Sequence, residues 1–355
     1  CDENIQNVLS ELGFTSMGDG ERYIRGGVVA PRSRNQINRM LFHHHSLHQN
    51  SRWENETLAL ENIIELRDDF ALRGRCEMFR VNLSSMVAAH QLHQGSNLRG
   101  HLVWARYEHF QKLLSIRNVL PDSEDQEILS FFSENNDPDL YMERNALKRS
   151  EFRKLISPLV RSGHLIQDYR GGFKSVRPLQ NVDLWEAKGN YLRDMVKDYP
   201  VITLKQLERL AGSSFSPEEI SDVMHEFEED GTLIKGFLVD DLQDICWGRL
   251  DMLEEMNSLV RSRDMVIPPS DPLIHYFGSI LRERFGFGSA YLVFHKEEPI
   301  AAFKANTRND KIEITDFVGD SELEKEAIRV MKEFAWEHDM PLTGKLYDRI
   351  RSRMV

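Results

Sequence analysis

The sequence predicts a mainly α-helical chain with small β elements: a tandem winged-helix array followed by a C-terminal α+β or partial β-barrel domain. Three observations predict it. A helical pattern runs directly into a two-stranded hairpin at 148–177, the same grammar returns at 216–239, and after 264 the period changes to short strands separated by turns. At roughly 100–200 residues per unit, 355 residues allow two to four units. We divide them as 1–121, 122–182, 183–263 and 264–355.

The first unit is expected to be a less regular helical module built around a basic segment. From Arg22 to Arg52 there are 31 residues with six arginines, four histidines and no Asp or Glu, although the whole chain carries a net charge of -12. Trp104, Tyr107 and Phe110 follow at a spacing of three, which predicts a core stripe rather than a base-stacking platform.

In the second unit, Ser150 can cap a helix whose apolar positions Phe152, Leu155, Ile156, Leu159 and Val160 keep a helical rhythm. Gly163 stops it, and "HLIQDY", "RGG" and "FKSVR" then read as strand, turn and strand. The third unit repeats Gly-x-Leu-Ile, at 231–234 after 163–166, and places Ile220, Val223, Met224 and Phe227 on the matching face. Before it, "YPVITLKQLERLAG" supplies the middle helix, with Thr203 as N-cap and Gly212 as stop. In the last unit, "SAYLVFHKEEPIAAFKANTRNDKIEITDFVG" gives three strands with turns at "KEEP" and "TRND", and a helix is expected at 321–338.

Charge separates the two winged-helix copies. Lys148, Arg149, Arg153, Lys154 and Arg161 on the first helix, with Arg170, Lys174 and Arg177 on its wing, suit a phosphate backbone. Seven carboxylates crowd 217–230, so the second copy is expected to be structural.

Several classes are excluded or disfavoured. No apolar run approaches the roughly 20 residues of a membrane span, and Asp2, Glu3 and Asn4 follow Cys1 at once, so no signal peptide and a cytoplasmic location are expected. Opening on Cys rather than Met suggests a piece of a longer protein. Cys1, Cys76 and Cys246 fit neither a disulfide framework nor a metal knuckle, and Cys76 and Cys246 are expected to be buried small hydrophobes. His44 and His48 stand four apart without the glutamate of H-E-x-x-H, so no metal is expected. There is no phosphate-cradling loop for an ATP-driven motor, and "GFGSAY" fails the nucleophile-elbow pattern.

"VIPPSDPLIHYFGSILRERFGF" and "SAYLVFHKEEPIAAFKANTRNDKIEI" resemble the C-terminal region of the winged-helix DNA glycosylases of the AlkZ and YcaQ type, an architecture shared with the C-terminal domain of Lhr-type helicases. "ALRGRCEMFRVNLSSM" at 71–86 is similar to that family's Arg-Gly-Thr-Leu-His segment and keeps Arg73 and Gly74. "NQINRMLFHHHSLHQNSR" resembles the stretch in which a Gln-x-Asp motif precedes histidines and a Ser-Arg pair. The resemblance implies double-stranded DNA as partner and excision of alkylated or crosslinked bases by hydrolysis of the N-glycosidic bond, with no cofactor. Carried over by position, it makes Gln36 and Asn38 the catalytic pair, although Asn38 cannot act as a general base and could only position a water. Arg34, Arg39, His43, His44, His45, Arg52 and Arg73 would join Lys148, Arg149, Arg153, Lys154, Arg170 and Lys174 on the DNA. Two other readings stay open: a non-catalytic DNA-binding module in or beside a helicase, its motor domain a partner in cis or trans, and a transcription regulator that uses the acidic copy as a protein interface.

Overall fold

The computed structural model describes residues 32–45, 47, 65–66, 92–240, 242, 244–254, 259, 262–308 and 310–352, with the backbone of β1 (Thr15–Ser16). Its helices surround three small sheets, the last of them curled into a half-barrel, which is the predicted fold class.

The basic segment folds as α1 (Arg34–His44), opened by a capping box: Ser33 Oγ accepts from the Gln36 amide at 3.3 Å and Gln36 Oε1 accepts from the Ser33 amide at 2.9 Å. The helix is a core element rather than an exposed arm. Leu41 and Phe42 enter the main core, while Ile37 and Met40 pack on the sheet of the second winged helix. Next comes a hairpin absent from the sequence reading, β2 (Leu92–Ser96) with β3 (Leu102–Arg106), paired from Leu92↔Arg106 to Ser96↔Leu102. The aromatic stripe straddles its end: Trp104 is buried in β3, whereas Tyr107 opens α2 (Tyr107–Arg117) and Phe110 is buried on it. A spacing of three therefore crosses from a strand into a helix.

The first winged helix comprises α3 (Ser123–Glu134), α4 (Pro138–Arg144), α5 (Arg149–Ser162), β4 (Leu165–Gln167) and β5 (Phe173–Ser175). Ser150 is not the cap of α5. The Glu151 carboxylate reaches back to accept from the Lys148 amide at 2.8 Å, so the helix begins two residues earlier than expected. Gly163 ends it at φ 85°. In the wing turn, Asp168 Oδ1 accepts from the amides of Arg170 and Gly172 at 2.8 and 2.9 Å, and Gly171 takes φ 89°. The module has a core of its own, in which Phe132, Tyr141, Phe152 and Phe173 pack with ring centroids 5.4–6.3 Å apart. One bridge, Gln94↔Gln167, joins β4 to β2 and gives the order β3-β2-β4-β5.

The second winged helix comprises α6 (Leu184–Lys197), β6 (Val201–Thr203), α7 (Leu204–Ala211), α8 (Pro217–Glu229), β7 (Ile234–Gly236) and β8 (Cys246–Gly248), followed by α9 (Leu250–Glu254). Thr203 caps α7 and Gly212 ends it, as expected. Ile220, Val223, Met224 and Phe227 are all buried under α8. The sheet runs β1-β7-β8-β6. Cys246 is buried in it, and desolvation pushes its thiol up to about 12, which leaves an inert small hydrophobe. Cys76 lies outside the described residues.

The C-terminal part holds β9 (Met265–Ile267), α10 (Leu273–Tyr276), α11 (Gly278–Glu283), β10 (Tyr291–His295), β11 (Glu298–Arg308), β12 (Lys311–Gly319), α12 (Glu324–Glu337), β13 (Leu342–Thr343) and α13 (Lys345–Ser352). The three predicted strands are β10, β11 and β12 in an antiparallel meander. Helix α12 begins three residues later than expected and buries Ala327, Ile328, Met331 and Phe334 in the core it forms with the sheet. Among the described residues no helix is long and apolar enough to cross a membrane.

Candidate nucleic-acid interface and adjoining cavity

The two amides expected to be catalytic are engaged by the fold. Gln36 closes the cap of α1. Asn38 is buried, and its Nδ2 donates to the carbonyl of Glu297 at 2.8 Å. Arg39, expected on phosphate, grips the buried carboxylate of the same glutamate, Nε to Oε1 at 3.2 Å and Nη2 to Oε2 at 3.4 Å. That carboxylate also accepts from the Ser262 amide at 2.8 Å. Glu297 sits in the two-residue turn between β10 and β11 at φ 65°, with Lys296 at φ 48°, so Asn38 and Arg39 latch α1 onto a strained turn. The Glu297 carboxylate is a buried charge and must be paired, and Arg39 pairs it.

The remaining predicted residues separate. Arg34 is exposed at the start of α1, beside a small cavity of about 90 Å³ that Asn38 also lines. His43 is half-buried. His44 and His45 reach a different, larger cavity at the other end of α1. Arg52 and Arg73 lie outside the described residues, as does His48.

The cationic side chains of the first winged helix lie at the surface. Lys148, Arg149, Arg153 and Lys154 on α5 and Arg170 and Lys174 on the wing are all exposed, as are Arg161 and Arg177. None of these eight forms an ion pair with a described carboxylate. The second copy is the opposite. There Lys188 pairs with Glu219 at 2.6 Å, Arg193 with Asp230 at 3.9 Å, Lys205 with Asp244 at 3.6 Å and Lys235 with Glu228 at 3.5 Å. Its carboxylates are further tied down by Trp247 Nε1, which donates to Glu228 at 2.5 Å, and by the capping box of Ser216 and Glu219. The first copy leaves these cations without carboxylate partners; the second pairs its own.

The cavity reached by His44 and His45, about 370 Å³, opens among α1, α2 and α6. Glu65 stands in its wall, buried and at φ 54°, fixed in place because the next residue, Leu66, accepts the Trp104 amide at 2.8 Å. Donors from separate parts of the chain converge on its carboxylate. His109 Nε2 lies 3.0 Å from Oε1, Tyr191 Oη donates to Oε1 at 3.4 Å, and Asn97 Nδ2 donates to Oε2 at 2.9 Å. Arg99 Nη2 stands 3.9 Å away. Asn97 is itself aimed, since its Oδ1 accepts from the amides of Arg99 and His101 at 3.1 and 3.0 Å. Burial pushes the Glu65 carboxyl up, but the hydrogen bond and charge of His109, the Asn97 amide and the Arg99 charge outweigh it and hold the group below the ordinary carboxylate value. Glu65 is therefore an anion at neutral pH. Burial first, and then the Glu65 charge, push Tyr191 well above the usual phenol value, so it remains a donor.

Helix α2 joins the two features. Lys174 Nζ sits 4.3 Å above the Tyr107 ring, and Tyr107 Oη donates to the Ser175 carbonyl at 3.2 Å, so the wing is seated on the first residue of α2. Glu108, His109 and Lys112, the next turn of that helix, line the cavity. Glu65, Asn97, Arg99, His109 and Tyr191 were missed by sequence reasoning because no local spacing unites them. The local hint is His109 itself, which shares a helix face with the buried Leu113 and Ile116.

No family model matches the chain, and no curated protein matches it. Among solved structures, the DNA glycosylase AlkZ of Streptomyces sahachiroi is similar in fold, with a TM-score of 0.63 and 13% identity over 88% of this chain and 100% of that one.

Proposed function

We propose that this chain binds duplex DNA through α5 and the wing of its 122–182 unit, and acts in DNA repair as a glycosylase that hydrolyses the N-glycosidic bond of an alkylated or crosslinked base held in the adjoining cavity. In this reading the 1–121, 183–263 and 264–355 units build the frame around that cavity. The observation that carries it is the junction at α2, which puts an unpaired cationic wing one helical turn from a cavity of about 370 Å³. A volume of that order falls within the roughly 300–1,000 Å³ of small-ligand sites. An enzyme that works on a base in a duplex must evert it, and needs phosphate grip and a receiving pocket side by side. The fold likeness to a protein described as a DNA glycosylase supports the same reading.

The chemistry asked of the site is modest. A base alkylated on a ring nitrogen already carries positive charge and leaves readily, so placement of water and electrostatic support of the developing oxocarbenium sugar do most of the work.

The test is to incubate the protein with a duplex carrying one N7-alkylguanine and heat it in alkali. Strand scission at the lesion is expected. Tight binding without scission across alkylated, crosslinked and uracil-containing duplexes would instead mark a non-catalytic DNA-binding module.

A further inference from the structure

Building on the duplex-binding, base-excising reading above, we infer that Glu65 is the catalytic carboxylate of that reaction, facing C1′ of the everted nucleotide, supporting the oxocarbenium sugar and taking the proton of the attacking water. Three features single it out from the other carboxylates of the cavity. First, it is the buried one, 9% exposed, and it is kept charged by donors drawn from the β2–β3 turn, α2 and α6. Asp194 is instead neutralised at the rim by Lys112 and by Lys197 at 3.5 Å, and Asp198 faces His44 at 3.7 Å. Second, its backbone holds a left-handed conformation that a glutamate adopts only under constraint, a feature that gathers at functional sites. Third, its pairing is incomplete on one side. Oε1 receives both His109 and Tyr191, whereas Oε2 receives Asn97 alone within hydrogen-bond distance among the described residues, which leaves a lone pair of Oε2 for a water.

The step balances without any further reactant. The bond from C1′ to the ring nitrogen breaks, its electron pair passes to the nitrogen, and the positive charge of the alkylated ring is discharged. Water oxygen bonds to C1′, and its proton moves to Glu65 and on to solvent. The products are a neutral free base, an abasic site and one proton. His109 and Asn97 act as positioning residues: they hold the carboxylate ionised and oriented.

The test compares wild type with Glu65→Gln, which keeps the size of the side chain and removes its charge. Single-turnover excision of N7-methylguanine from a duplex should fall by about 100-fold or more, with unchanged affinity for a duplex carrying a neutral tetrahydrofuran abasic analogue. A second measurement needs only the wild type: a duplex with a cationic pyrrolidine analogue at the same position should bind about 100-fold more tightly than the tetrahydrofuran duplex, because it carries the charge of the transition state. Should Glu65→Gln fail to fold, that preference alone decides. Equal wild-type affinity for the two analogues, or undiminished excision by Glu65→Gln, overturns the assignment and leaves the DNA reading standing. Absence of excision by the wild type overturns the excision reading and the assignment together.

Discussion

At Asn38 the amide has a partner already, the carbonyl of a buried, strained turn at Glu297. Removing it by Asn38→Ala leaves that carbonyl without its donor in a dry setting, at a cost of about 1–3 kcal/mol. The urea midpoint should fall accordingly while lesion scission persists, since the side chain serves the latch between α1 and the C-terminal sheet. Unchanged stability together with lost scission would restore Asn38 as a reacting group. Glu65 has the inverse profile. Its carboxylate is assembled from donors at 97, 109 and 191, and nothing in the neighbourhood "ENIIELRDD" separates it from a surface glutamate. Side chains that meet only through tertiary packing leave no periodic trace in the chain.

Elements were legible wherever a local rule closes on itself. Thr203 and Gly212 bound α7, Gly163 and the Asp168–Gly172 turn bound the wing, and "KEEP" and "TRND" mark the meander, because caps and tight turns are settled within a few residues. Helix α1 was legible as a helix but not in its packing. Its charge and histidines drew attention, while Ile37, Met40, Leu41 and Phe42, a buried stripe in the same eleven residues, decide where it packs. The hairpin of β2 and β3 closes locally, from Leu92↔Arg106 to Ser96↔Leu102, and was missed because Trp104, Tyr107 and Phe110 read as one stripe although they span a strand and a helix. The first winged helix has a separate aromatic core. Phe132→Ala should remove about 3–5 kcal/mol, and hydrogen exchange should quicken across 123–175 while α12 and the meander keep their protection. Uniform loss of protection through both regions would mean that the cores are one cooperative unit.

Across the whole molecule, the net charge of -12 conceals a difference in ion pairing between the two winged helices. The second copy pairs Lys188, Arg193, Lys205 and Lys235 with its own carboxylates and packs into the main core. The first leaves Arg153, Lys154 and Lys174 unpaired and seats its wing on the helix that lines the cavity. Association with a polyanion releases counterions in proportion to the phosphates neutralised, so the grip can be located by its salt dependence. The most direct measurement is duplex affinity as a function of salt for three proteins: wild type, Arg153→Glu with Lys154→Glu, and Glu218→Lys with Glu226→Lys. The first pair of reversals should weaken binding and lower the slope of log K against log salt by about 2, with the second pair leaving both the slope and excision as in wild type. Equal effects from the two pairs, or none from the first, would contradict the placement of the duplex on α5 and its wing.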